Sequence, residues 1–243
     1  MIYFLGDVHG RFRSLIEAVQ RDRPDAIVFL GDVQAQQPLH VELAEILDVT
    51  QVWWIHGNHD TDSDADYDNL FESELADRNL HGRVVEIAGL RVAGLGGVFR
   101  GQIWMPPAPP AYDSQDEFVR RCGKGNRWRG GLPRKHRSSI FESDWLHLAT
   151  QRADILITHE APGCHPYGFE ALNEMACCMQ VSRTFHGHQH DNLDYSGQFS
   201  RLGHQAYGVG FCGITDQDGN VIRSGDFDDR RSGRQDHIFG VPE

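Results

Sequence analysis

The chain of 243 residues contains no apolar run long enough to cross a bilayer, so nothing in it reads as a membrane-spanning helix. Its first apolar run, Ile2-Tyr3-Phe4-Leu5, is too short for the hydrophobic stretch of a secretory leader and has no basic flank. A cytoplasmic location is the expectation. Cysteine is sparse and unpatterned: Cys122, Cys164, Cys177, Cys178 and Cys212 are odd in number and form no C-x-x-C pair. Thiols in a reducing compartment explain this better than a disulfide framework or a zinc finger. Positive charge is also in deficit, with 23 Lys and Arg against 35 Asp and Glu and a formal net charge of −12. That balance disfavours non-specific binding to nucleic acid. There is no fixed-period repeat and no G-x-G-x-x-G loop; Gly94-Leu95-Gly96-Gly97 reads as a tight strand exit. No coiled-coil or edge-pairing signal addresses the oligomeric state.

What is present is an ordinary globular composition, 40% hydrophobic and 24% charged, with fourteen histidines, more than the usual share. Short apolar runs at Met1–Leu5, Ala26–Leu30 and Val52–Ile55 read as strands. Between them, Phe12–Gln20 places Phe12, Leu15, Ile16 and Val19 on one helical face, and Leu39–Leu47 also reads as helix. This alternation predicts an α/β fold that begins with parallel strands. Val84–Ile87 and Leu90–Leu95 read as a hairpin around Ala88-Gly89, and sheet resumes at Ile155–Thr158, Arg183–Phe185, Gln205–Val209 and Asn220–Arg223. The Pro-, Gly- and Arg-rich stretch 100–140 reads as an insertion or cap on a domain spanning 1–224, and residues 225–243 as a charged, poorly packed tail. Met175, Cys177 and Cys178 are expected to pack into the core from a helix.

The histidines and carboxylates gather where strands end. Asp7-Val8-His9, Gly31-Asp32, Gly57-Asn58-His59-Asp60, His159 and Gly187-His188-Gln189-His190 each follow a strand, at the sheet edge where open α/β folds bind ligands. The mixture of carboxylate, imidazole and amide oxygen suits a borderline divalent metal such as Mn, Fe, Zn or Ni rather than Ca. Asp7 and His9 lie two apart in a loop and can turn toward one ion, and His188 and His190 repeat the device; Asp32 has two oxygens with which to bridge two ions.

These blocks, in this order, resemble the calcineurin-like metallophosphoesterase superfamily over residues 5–190. The resemblance implies a four-layer αββα sandwich of two mixed β-sheets, with the metal site at the C-terminal ends of the strands. It implies two divalent metal ions, manganese foremost. Asp7, His9 and His190 would hold the first, Asn58, His159 and His188 the second, and Asp32 would bridge them. It also implies hydrolysis of a phosphate monoester or diester by a metal-bridging hydroxide, with His59 as the general acid. The opening Gly6-Asp7-Val8-His9-Gly10 is similar to the phosphoprotein phosphatases and the symmetrical dinucleoside-tetraphosphate hydrolases. Those subfamilies carry an Arg-containing segment after the second Gly-Asp, whereas this chain has Val33-Gln34-Ala35-Gln36-Gln37. A substrate-binding Arg and an Asp that orients the catalytic His are therefore missing there.

Arg120–Arg137 holds eight Lys and Arg residues and no acid, a local positive island that would hold a substrate phosphate. Arg100, Arg127 and Arg129 are the candidate substrate contacts; the competing reading of the island is a solvated loop. His56, His165 and His186 have no slot in the motifs and read as structural, as do His40, His81, His136, His147, His204 and His237. Two other functions compete with the hydrolase: a non-catalytic metal-binding scaffold and a nuclease. The complete ligand set weighs against the first. The confinement of positive charge to one loop weighs against the second.

Overall fold

In the computed structural model, residues 1–228 are described. Among these residues, ten strands form two sheets of five. The first contains β1 (Ile2–Leu5), β2 (Ala26–Leu30), β3 (Gln51–Ile55), β9 (Ile214–Asp216) and β10 (Val221–Arg223). Its order is β10-β9-β1-β2-β3, with β1, β2 and β3 parallel and β9 antiparallel to both of its neighbours. The second runs β4 (Arg83–Ile87), β5 (Leu90–Leu95), β6 (Ile155–Thr158), β7 (Arg183–His186) and β8 (Gln205–Gly208). Only the β4–β5 hairpin is antiparallel there.

Burial on both faces explains why β1, β2 and β6 read as unbroken apolar runs. Alternate residues of β1 and β2 go to opposite cores. Phe4, Val28 and Leu30 face Val92, Ile155, Ile157 and Phe185 of the other sheet. The rings of Phe4 and Phe185 stack at 4.0 Å between the sheets. Tyr3, Leu5, Ile27 and Phe29 point outward, under Leu15, Ala18 and Val19 of helix α1 (Arg13–Asp22). On the far side, Ala93, Leu95 and Leu156 lie under α5 (Glu142–Ala149) and α6 (Glu170–Met179). The layers are therefore helix, sheet, sheet, helix, as expected. The parallel strands deliver their C-terminal loops to one edge, and this positions the site.

Several local expectations are corrected. Only Leu39–Glu42 (α2) of the stretch 39–47 is α-helix. Beyond it, Ile46 and Val49 donate to carbonyls three residues back. Leu39, Leu43 and Ile46 are all buried, so the apolar spacing reports burial correctly but does not separate an α-helix from successive tight turns. Strand β9 escapes the sequence pattern because three residues are too few to show alternation. Helix α3 (Asp64–Phe71) escapes it too, although Ser63 caps it by accepting from Asp66 N at 3.0 Å. Cys177 and Cys178 lie on α6 as expected but are exposed; the buried face is Leu172, Met175, Ala176 and Met179.

The insertion carries α4 (Gln115–Arg121) and closes onto the second sheet's core through Ile103, Trp104, Leu132, Ile140 and Phe141. Of the tail, Phe227 stacks on Phe211 at 4.8 Å and Asp226 accepts from Arg223 at 2.7 Å. Residues 229–243, including His237, lie outside the described residues. Among the described residues, no helix is long and apolar enough to cross a membrane.

Candidate metal centre

Loops from both sheets bring the expected ligands into two groups that share one carboxylate. Asp7, His9, Asp32 and His190 form one, and Asp32, His159 and His188 the other; within each group the ligand atoms lie within 4.8 Å of one another. Asp32 Oδ2 lies 3.8 Å from His9 Nε2 and 3.4 Å from His159 Nε2, and so stands between the groups. Asn58 joins the second through its Oδ1, 3.3 Å from His159 Nε2. His9 Nε2 and His190 Nε2 face each other at 3.3 Å.

The surroundings of Asp7, Asp32, His9 and His159 leave their inward atoms able to accept a cation. Asp7 Oδ2 accepts from His188 N at 2.8 Å, while Oδ1 is buried with no hydrogen-bond partner among the described residues. In the same manner Asp32 Oδ1 accepts from His59 N at 2.8 Å, leaving Oδ2 toward the cluster. His159 Nδ1 donates to Leu30 O at 2.8 Å, and His9 Nδ1 donates to Gln34 Oε1 at 2.5 Å. Each contact places the proton on Nδ1 and turns the Nε2 lone pair inward. A buried carboxylate oxygen without a donor and inward imidazole lone pairs are what a divalent cation requires, so this residue set fits one.

Electrostatics agree. Burial pushes Asp7 well above the ordinary carboxylate range, and burial with the nearby Asp32 raises Asp60 to about 7. Burial would also raise Asp32, but the His159 imidazole prevails and holds it low. Conversely, His159 rises to about 10 against its own burial because Asp32 and Asp7 flank it. Without a cation the cluster thus crowds three carboxyl groups around a protonated His159, and a bound cation would take the place of the proton on its Nε2.

The backbone is shaped for this purpose at some cost. His9 (φ 43°), Asp32 (φ 47°), His188 (φ 65°) and His190 (φ 57°) all occupy the left-handed region. Non-glycine residues there cost on the order of 1–3 kcal/mol each and persist where the surroundings over-determine them. Two motif glycines have a packing reason. A Cβ on Gly31 would lie 2.4 Å from His159 Nδ1, and one on Gly57 would lie 2.2 Å from Asp32 Oδ1.

His59 stands beside the cluster, half-exposed. Burial alone would depress its pKa, but a 2.5 Å contact from Nδ1 to Asp62 Oδ2 outweighs this and raises it. Asp60 is not its partner: Oδ1 and Oδ2 accept from Gln34 N and Gly57 N, both at 2.8 Å, which ties two motif loops together. Of the candidate substrate contacts, Arg100 is held by Ser138 O at 2.7 Å and Ser139 Oγ at 3.0 Å. Burial lowers its pKa, while Glu160, Asp62 and Asp32 act on it as nearby negative charges, which puts it on the site's side. Arg127 and Arg129 are engaged elsewhere. Arg127 donates to Val119 O at 2.6 Å, and Arg129 donates to Asp68 at 2.5 and 2.8 Å and to Glu72 at 3.0 Å. The exposed Arg129 guanidinium thus takes carboxylates that α3 and its C-terminal cap supply.

Sequence reading missed three residues at the site. Gln34 fixes His9, Asp62 holds His59, and Glu160 is buried with Oε2 3.8 Å from His188 Nε2. Each lies within three residues of a motif block, and that proximity was the available signal. His56, His165 and His186 are buried beneath the motif loops, as the structural reading expected. His186 is held by Gly187 O at 2.9 Å and Tyr195 OH at 3.1 Å.

An uncharacterized protein of Haemophilus influenzae is 42% identical over 222 residues, 91% of this chain and 96% of that protein. The crystal structure of TT1561 of Thermus thermophilus matches with a TM-score of 0.55 at 14% identity, covering 92% of this chain and 98% of that one, which shows a shared fold. Residues 1–192 match the calcineurin-like phosphoesterase family. This span contains every loop that feeds the cluster, and the chain belongs to that family.

Proposed function

We propose that the protein is a dinuclear metallophosphoesterase that hydrolyses phosphate monoesters or diesters. The observation that carries this is the position of Asp32 Oδ2 between His9 Nε2 and His159 Nε2, one carboxylate common to two ligand groups. Asp7, His9 and His190 would hold one ion, Asn58, His159 and His188 the other, and Asp32 would serve both. When bound, two such ions supply Lewis acidity toward phosphoryl oxygens and water that ionises near neutral pH. The donor set suits Mn, Fe, Zn or Ni, with Mn²⁺ the first choice.

The chain's own residues do the rest. Arg100, held by Ser138 and Ser139, offers a guanidinium to the phosphoryl oxygens and takes the place of the Arg that the loop 33–37 lacks. His59, with Nδ1 on Asp62, donates from Nε2 to the departing oxygen. What supports a small or protein-borne ester over nucleic acid is the fate of the insertion's arginines. Arg129 and Arg134 are paired with α3 and do not form an extended positive surface.

The test is hydrolysis of p-nitrophenyl phosphate and bis-p-nitrophenyl phosphate by metal-stripped protein, with and without Mn²⁺. Turnover that depends on Mn²⁺ is expected, and the preferred substrate separates monoesterase from diesterase. Protein shown to hold two metals that turns over neither would favour a non-catalytic scaffold.

A further inference from the structure

The basic insertion is fastened to the segment that follows His59. Arg134 donates from Nε to Thr61 O at 3.2 Å and from Nη2 to Asp62 O at 2.7 Å, and its Nη1 pairs with Asp64. Ser138 Oγ and Thr61 Oγ1 share a hydrogen bond at 2.7 Å. Arg137 donates to Tyr67 OH at 3.1 Å and lies over the Trp128 ring at 5.1 Å. The contacts of Arg134 and Ser138 converge on the loop that carries Asp62, whose carboxylate holds His59 Nδ1, and that of Arg137 with Tyr67 reaches α3.

Asp62 is 55% exposed and His59 45%. An exposed pair of this kind has little orienting power when both partners are free to move. It gains that power when the backbone of one partner is fixed from outside, and Arg134 fixes two successive carbonyls there. Among the described residues, no other carboxylate oxygen lies within 4.0 Å of a His59 ring nitrogen. The loop 33–37 contains none, and Asp60 has both oxygens on backbone N–H groups.

We propose that Asp62 is the positioning residue of His59, and that Arg134 holds Asp62 in place from the insertion. The insertion thus serves the proton donor and not a distant ligand. This inference rests on the reading of His59 as the general acid. The proton leaves His59 Nε2 for the leaving oxygen, while Nδ1–H stays on Asp62.

Leaving-group dependence tests it, because protonation matters more for a poor leaving group than for p-nitrophenolate. Full-length protein loaded with Mn²⁺ is assayed on the p-nitrophenyl and phenyl esters of phosphate, and the ratio of the two kcat values is compared. General acids contribute ~100- to 10,000-fold, so His59→Ala is expected to raise the ratio by at least ~10-fold with both metals retained. Asp62→Asn is expected to raise it in the same direction by several-fold, Arg134→Ala by less, and Asp62→Glu to restore part of the wild-type ratio. Arg121→Ala removes the same charge from the insertion but touches Glu117 instead, and is expected to leave the ratio unchanged. Equal losses on both esters in Asp62→Asn, beside a selective loss in His59→Ala, would overturn the positioning role and leave the general acid standing. A shift in Arg121→Ala equal to that in Arg134→Ala would trace the effect to charge and overturn the brace. No selective loss in His59→Ala would overturn the acid role itself.

Discussion

The metal-centre loops and the insertion both concentrate ionisable side chains, and they use them in opposite ways. At the centre, Asp7, Asp32 and His159 are almost fully buried; Asp7 Oδ1 has no hydrogen-bond partner among the described residues, and Asp32 and His159 turn their remaining ligand atoms toward each other. In the insertion, Arg121, Arg129 and Arg134 are partly or largely exposed, and each is committed to a neighbour. A run of like charge therefore says little about function until its complement is found. Here the complement of Arg129 and Arg134 is Asp68 and Asp64, members of the alternating acidic run Asp60, Asp62, Asp64, Asp66, Asp68 that starts just after His59. Buried charge without a protein partner is the better mark of a site, because proteins seldom bear that cost without a ligand.

The largest expected effect breaks the centre. Asp32→Asn removes the one carboxylate common to both groups and leaves an amide that cannot replace its charge. Since loss of an outer-sphere partner alone costs ~10–100-fold in metal affinity, loss of this ligand should cost more than ~100-fold. Metal content after dialysis and Mn²⁺-dependent turnover should both collapse. Two tightly retained metals in this variant would remove the bridge. Gly57→Ala is expected to act next most strongly without replacing a ligand. Its Cβ would lie 2.2 Å from Asp32 Oδ1 and 2.4 Å from Asp32 N, so the bridging loop must shift. Overpacking of this kind costs ~1–3 kcal/mol. Both a lower Tm and weaker metal retention are expected; full metal affinity at reduced stability would show that the loop's position is not critical.

Much of this arrangement was legible in the sequence because parallel strands are apolar on both faces and stop abruptly. Ile2–Leu5, Ala26–Leu30 and Ile155–Thr158 announce themselves by composition, and the polar residue after each is a candidate ligand by position. The left-handed backbone at His9, Asp32, His188 and His190 was not legible, because propensity assigns such angles to glycine. Nor was the destination of the insertion's arginines, because the pairs Arg129–Asp68 and Arg134–Asp64 join residues about sixty to seventy apart in sequence. Strand ends are a local signal; charge pairing across the fold is not. Asp62 shows the boundary case: three residues from His59, it was close enough to find but looked like any other member of an acidic run.

The exposed half of the comparison should respond weakly. Arg129→Ala unties three contacts to α3 and its C-terminal cap, but the guanidinium is in solvent, where ion pairs contribute little. A small fall in Tm that shrinks further in high salt is expected, with metal content unchanged. A raised KM for aryl phosphates in this variant would return Arg129 to the substrate site and weaken the contrast between committed and uncommitted charge.

The smallest effect comes from a buried titratable group within the insertion itself. His136 is 6% exposed, its Nδ1 3.0 Å from Ser139 Oγ, and burial, aided by Arg100 and Lys135, lowers its pKa to about 4. In the unfolded chain the same imidazole takes up a proton near pH ~6.5. Between those values the unfolded state binds more protons than the folded one, so stability falls as pH drops from ~6.5 toward 4. His136→Gln removes that contribution, so its Tm should depend less steeply on pH than the wild-type Tm across this window. Equal slopes would mean that the imidazole takes up its proton as readily in the fold as out of it. The insertion would then be open to solvent at this point, and its packing onto the second core would be looser than Leu132, Ile140 and Phe141 indicate.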